Sequence, residues 1–226
     1  VKELHIFNDL GKIDADKPFA PFGSLVSIGS YFLIGNNEIF KKNINQLNFE
    51  IQWGGLPRTL GGFTSYYKEY DEDITNESFT VSVKSLSDYE FKPVSEEKTQ
   101  QIDLFKFDEE TKRLSNRNEV DNISLDSLEL NPFYGEVDYS EFKSSDKSGF
   151  LKLELTGPEI AFGHTEYPRL FSDVAIENSK SSFNLISGKD PEKKPFPNEP
   201  YTPQIRSLSL AYKATTKVHF DQFEVS

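Results

Sequence analysis

The sequence predicts a β-dominated α+β fold: antiparallel sheets or a sandwich, one clear amphipathic helix near residues 165–178, and short helical turns near 36–42 and 63–70. Three observations carry this. Several short segments alternate apolar and polar residues with period two, the mark of a half-buried strand. One segment carries a long stripe at helical spacing with the start signals of a helix. Finally, 20 Phe and 10 Tyr stand in a chain of only 36% hydrophobic residues, so burial rests on few, large side chains. At 226 residues the chain can bury a sizeable core.

Residues 3–7 alternate weakly and read as an entry strand. Residues 25–34 read as a strong strand, with Val26, Ile28 and Tyr31 to Ile34 set between glycines. Residues 36–42 are helix-permissive. Leu47, Phe49, Ile51 and Trp53 alternate with Asn48, Glu50 and Gln52 until Gly54-Gly55 and Pro57 stop the strand. Residues 63–70 can form about two helical turns with Phe63, Tyr66, Tyr67 and Tyr70 on one face. Residues 78–86 and 101–107 alternate again. A polar stretch around 108–122 is the one candidate boundary between two β-rich subdomains.

Residues 150–155 (FLKLEL) alternate cleanly until Gly157-Pro158. The helix follows, with Thr165 as N-cap, Pro168 in the first turn, and Tyr167, Leu170, Phe171, Val174 and Ala175 at i, i+3, i+4, i+7 and i+8. Residues 190–203 hold five prolines, which suits a long connection better than a helix or central strand. Ile205, Leu208, Leu210 and Tyr212 then mark a strand, and 217–223 reads as another. No internal repeat is found.

A formal net charge of −12 argues against nucleic acid or an anionic membrane as direct partner and fits basic surfaces or cations. With no cysteine, disulfides, thiol catalysis and Cys-based zinc sites are excluded. No run of eighteen apolar residues offers a membrane span, and the N-terminal residues lack signal-peptide character. The sequence also has no methionine, and is read as a fragment of a larger polypeptide.

The sequence carries no recognisable catalytic or metal-binding motif. His5, His164 and His219 are far apart and form no metal-ligand spacing; His164, before the helix, is expected to cap or hydrogen-bond it. Ser24 and Ser27 lack the Gly-x-Ser-x-Gly elbow of a hydrolase. Asp71, Glu72, Asp73, Asn76 and Glu77 could ligate calcium, but the glycine of an EF-hand loop is missing and a solvated acidic turn is the default. Gly54-Gly55 and Gly61-Gly62 precede no phosphate-binding Lys-Ser/Thr. Asn76 and Asn122 spell glycosylation sequons by coincidence. No residue is therefore assigned a catalytic, cofactor-binding or metal-binding role, and no cofactor is expected.

Two strings carry a family resemblance. The first runs Phe22-Gly23, then Gly29-Ser30-Tyr31-Phe32-x-Ile34-Gly35, then Glu38-x-Phe40-x-Lys42, then Trp53-x-x-Leu56-Pro57. The second joins FGHTEYPRLF at 162–171 to Pro200-Tyr201-Thr202-Pro203-x-Ile205-x-Ser207-Leu208-x-Leu210-x-Tyr212-x-Ala214. Over about 17–70 and 151–215 the chain resembles the Baseplate J-like wedge proteins of contractile phage tails and of phage-tail-like extracellular injection systems, Bacteroidetes-type above all. Residues 71–148 match nothing of that pattern.

The resemblance implies a structural, non-enzymatic part. It would contact other wedge proteins, the hub and the sheath within a symmetric ring, assembling in the cytoplasm and ending in a particle released from the cell. It carries no active-site residues over. The chain is far shorter than a full wedge protein, and the terminal regions that would thread into neighbours are missing. A carbohydrate- or surface-binding β-sandwich is the alternative, with Trp53, Tyr66, Tyr67 and Tyr70 as a stacking platform. For Phe22, Tyr31, Trp53 and Tyr201 the expected duty is core packing. A hydrolase hidden in a β-rich domain has nothing in its favour.

Overall fold

The structure, a computed structural model, describes residues 4–36, 44–87, 90–93, 101–124, 138–139, 142–143, 150–183 and 193–214. The expected helical turn at 36–42 (but for Asn36) and the expected strand at 217–223 lie outside them. The β-dominated α+β expectation holds, with antiparallel sheets throughout and one long helix.

A seven-stranded sheet contains β1 (His5–Asn8), β2 (Gly11–Ile13), β3 (Tyr31–Gly35), β5 (Thr80–Ser87), β6 (Glu90–Pro93), β7 (Gln101–Asp103) and β13 (Phe150–Gly157). Its order is β2-β1-β3-β13-β5-β6, with β7 also pairing on β5. A three-stranded sheet sets the long β4 (Ile44–Gly54) between β10 (Arg117–Ser124) and β14 (Gln204–Ala214). Two small hairpins complete the described strands: β8 (Lys106–Asp108) with β9 (Arg113–Ser115), and β11 (Asp138–Tyr139) with β12 (Phe142–Lys143). The helices are α1 (Gly62–Tyr66) and α2 (Tyr167–Phe183). No described helix is long and apolar enough to cross a membrane.

The alternation read in β4 is its burial. Leu47, Phe49, Ile51 and Trp53 are buried, while Asn48, Glu50 and Gln52 face outward. They join Ile6, Ile34, Val81, Val83, Leu151, Leu153 and Leu155 of the larger sheet in one core, as a sandwich requires. In β14 the apolar positions fall out of phase between Ile205 and Leu208. A register shift between Ile205 and Ser207 resolves this: one extra residue, Arg206, turns the later positions inward. On the other face of the larger sheet Phe7, Leu33, Leu86 and Phe150 form a second, smaller cluster. There Gly35 lies opposite Phe150, whose ring fills the space a Cβ would need.

Some expectations are corrected. Residues 25–30 are a loop, not the first half of a strand: Ser30 N–H bonds the Ser27 carbonyl, Ser27 N–H bonds Ser30 Oγ, and Gly29 sits at φ +84°. The turn chemistry of Ser27-Ile28-Gly29-Ser30 outweighs the apolar spacing, and Leu25 is left 78% exposed. Segment 101–107 is broken at Leu104 and Phe105, both buried, into β7 and β8. The turns expected at 63–70 shorten to α1 and a following turn through Tyr67–Tyr70. Helix α2 begins two residues after Thr165 and continues past 178; the Tyr167 amide bonds the Gly163 carbonyl.

Candidate functional site

The aromatic residues of six separate segments meet beside α1. Trp53, Phe63, Phe79, Phe105, Phe162 and Tyr201 are all buried. Phe63 and Phe79 have centroids 4.5 Å apart, Trp53 and Phe105 4.7 Å, and Phe79 stacks on Phe162 at 4.6 Å. The polar tips are satisfied: the indole N–H of Trp53 donates to the Leu104 carbonyl at 2.8 Å, and the Tyr201 hydroxyl donates to the Gly54 carbonyl at 2.8 Å. Tyr67 is enclosed. Its hydroxyl donates to the Phe162 carbonyl at 3.0 Å and accepts the Tyr201 amide at 3.1 Å. Burial pushes the phenols of Tyr67 and Tyr201 well above their ordinary range, so both stay neutral donors.

From this cluster Tyr66 and Tyr70 reach outward to residues 193–203, a proline-rich strap between α2 and β14. The Tyr66 hydroxyl donates to the Glu199 carbonyl at 2.6 Å, Tyr70 donates to the Asn198 carbonyl, and Asn198 Nδ2 donates to the Tyr66 carbonyl at 2.8 Å. The logic is local. Prolines 195, 197, 200 and 203 deny the strap its own hydrogen-bond ladder, so its carbonyls need outside donors. Pro197, Tyr201 and Pro203 are its buried points.

Helix α2 lies behind the strap. Phe171 stacks on Phe196 at 4.6 Å and 21°. Asn178 Nδ2 donates to the Lys194 carbonyl at 3.0 Å, the Lys194 amide returns a bond to Asn178 Oδ1 at 2.8 Å, and Lys194 pairs with Glu177. Not one α2 residue between 167 and 180 is buried. The stripe predicted from spacing is there, yet Leu170, Val174 and Ala175 are only half-covered, and Phe171 and Phe196 are 41% and 48% exposed.

Two charged features lie elsewhere. A groove of about 510 Å³ is lined by residues including Glu77, Asp103, Lys106, Phe107, Glu109 and Asn118. Burial, then the nearby Glu77, raises the Asp103 carboxyl above its ordinary range, while Asn118 spends its amide hydrogens on the Asp103 and Leu104 carbonyls. On the outer face of the larger sheet Lys84 and Lys152 converge on Glu154. Burial pushes Glu154 up, but the two lysine hydrogen bonds outweigh it and hold the carboxyl below the usual range. Lys152 also sits 4.2 Å over the Tyr31 ring. Both features mix signs, and no group of three or more metal-type ligands converges among the described residues.

The residues singled out in the sequence scatter. Trp53 and Tyr67 are buried and cannot stack on a sugar; Tyr66 and Tyr70 have hydroxyls committed to the strap. Phe22 and Tyr201 pack in the core as expected, while Tyr31 flanks the smaller cluster. Asp71 accepts the Asp73 amide in a local turn, and Asn76 accepts the Phe63 amide at 2.7 Å, holding α1. Ser24 and Ser27 belong to the exposed loop, His5 lies in β1, and His219 and Asn122's side chain fall outside the description. His164 Nε2 meets Thr202 Oγ1 at 2.9 Å, and its buried Nδ1 has no partner. Burial depresses its pKa. Sequence reasoning missed the tyrosine–strap bonding altogether; the available signal was a run of proline-flanked carbonyls with no partner of their own.

Among the described residues no reaction centre is assembled; what they present is a braced body with a half-covered helix. Comparison with known proteins fits that description. No curated protein matches the sequence. The family model described as "Baseplate protein PVC11-like" matches residues 1–226. The family is not specifically the Baseplate J-like one that the motifs resemble, though both are baseplate proteins. It is a family of structural proteins, which implies a non-enzymatic role. The chain belongs to the PVC11-like baseplate proteins, structural parts of the baseplate of a PVC-type contractile injection system.

Proposed function

We propose that the chain works as a wedge-type component that meets other baseplate subunits along the edge formed by α2 and the strap. The observation that carries this reading is the Phe171–Phe196 pair, two stacked rings each more than 40% exposed, one on the strap and one on a helix with no buried residue between 167 and 180. Such a pair contributes little to the isolated chain. Covered by a neighbour it becomes a rigid aromatic anchor, the residue type that dominates contact energies. The net charge of −12 favours neighbours with basic surfaces over a second copy. Repeated around a hub, the same edge would meet the same neighbour in each sector of a ring. The sugar-platform alternative loses its support, because Trp53 and Tyr67 are buried.

The test places Phe171→Ser with Phe196→Ser in the parent gene and scores purified particles by negative-stain electron microscopy. The isolated double variant is expected to keep its Tm to within about 3 °C while sheathed tubes with baseplates are lost. Intact, contractile particles would remove this edge from the assembly. An in-frame deletion of 1–226 that still yields complete particles would remove the wedge role itself.

A further inference from the structure

We propose that α2 and the strap behind it form a latched arm that opens as a unit, separately from the sheets, with the Tyr66 and Tyr70 hydroxyls as the catch. Of the described residues, α2 departs from the body after Gly163, and the strap meets the body again at Tyr201 and Thr202. Its pieces bind one another by the Phe171–Phe196 stack and the paired Asn178–Lys194 bonds. Among the described residues, three polar bonds between strap and body gather at one place: Tyr66 to the Glu199 carbonyl, Tyr70 to the Asn198 carbonyl, and Asn198 back to the Tyr66 carbonyl; a fourth joins His164, at the root of the arm, to Thr202. These are half-exposed bonds, the kind that open at low cost.

The geometry on either side marks where the motion stops. Tyr201 is pinned under Phe63, Phe105 and Phe162, with its hydroxyl on Gly54 and its amide on Tyr67. Beyond it Ile205 exchanges backbone bonds with Phe19. The strap can therefore peel only up to residue 200. At the other end Gly163 sits at φ +79°, and a Cβ there would lie 2.5 Å from the Tyr70 ring. Tyr70 thus packs on the root of the helix and bonds the strap at once, so losing it frees both strands of the arm. His164, at this root, has a buried Nδ1 without a partner, which water would satisfy on opening. Once free, α2 buries little, and a lone 17-residue helix is marginal in water.

Hydrogen exchange on the full chain tests the latch, whichever surface a neighbour covers, by comparing the wild type with Tyr66→Phe/Tyr70→Phe. Peptides within 167–180 are expected to exchange about tenfold faster, while peptides from β5 and β13 keep their rates. If helix and sheet peptides accelerate by the same factor, the hydroxyls hold the whole fold and there is no separate arm. If the helix peptides do not change, the hydroxyls are no catch.

Discussion

The body and the α2 arm are both rich in Phe and Tyr, and they use them in opposite ways. In the body Phe63, Phe79 and Phe162 pack at centroid distances of 4.5 to 4.6 Å with no solvent access. In the arm Phe171 and Phe196 stack at the same 4.6 Å but stand in solvent. The Phe79–Phe162 and Phe171–Phe196 stacks are alike, with 19° and 21° between planes; what differs is what surrounds the pair. Stacking alone contributes about 0.5–1.5 kcal/mol, and full enclosure adds the larger hydrophobic gain. One region is enclosed by the chain itself; the other stands partly in solvent.

The sharpest way to break this comparison is the same deletion in both places. Phe63→Ala is expected to cost about 3–5 kcal/mol, and Phe171→Ala below about 1.5 kcal/mol, the scale of the stacking it loses; urea midpoints of the two purified variants would tell. Equal losses would mean that the arm is as much core as the body. Gly163→Ala comes next. Its left-handed backbone costs a side chain about 1–2 kcal/mol, and the Tyr70 ring must also shift. Limited proteolysis should find the new cleavages within the arm, and cleavage spread over the sheets would contradict the division.

The smallest effect is one of pH. Burial holds the His164 pKa below its ordinary 6.5, so the unfolded chain binds the proton more readily. The resulting stability is present above about pH 6.5 and fades as pH falls through the lowered pKa. Partial exposure keeps it modest. Melting at pH 7.5 and 5.5 should separate the wild type from His164→Gln, with the wild type losing slightly more on acidification; identical shifts would remove His164 from the account.

Local pattern made much of this fold readable. The period-two runs through Leu47–Trp53 and 150–155 became β4 and β13 because each has one face in the core. Prolines around 190–203 gave the strap away, and the Tyr167-to-Ala175 spacing gave α2. What misled was chemistry that competes with spacing. Ser27 and Ser30 closed a turn inside an apparent strand. Leu104 broke another, since its carbonyl serves both Trp53 and Asn118. The aromatic cluster had no local signature, as its members lie up to 148 positions apart between Trp53 and Tyr201 (201 − 53). The helical spacing of α2 correctly predicted a helix with an apolar stripe, but not how far that stripe is covered. Periodicity reports that a face is apolar; it does not say whether the chain itself or a neighbour covers it.

Trp53 is the chain's one tryptophan, enclosed in the body with its N–H taken by Leu104. It makes the protein's intrinsic emission a private witness of the core. Light absorbed at the red edge of the spectrum will report when the sheets come apart and stay silent while the helix swings. Circular dichroism would see that helix, so the two optical signals divide between them the two halves of the molecule.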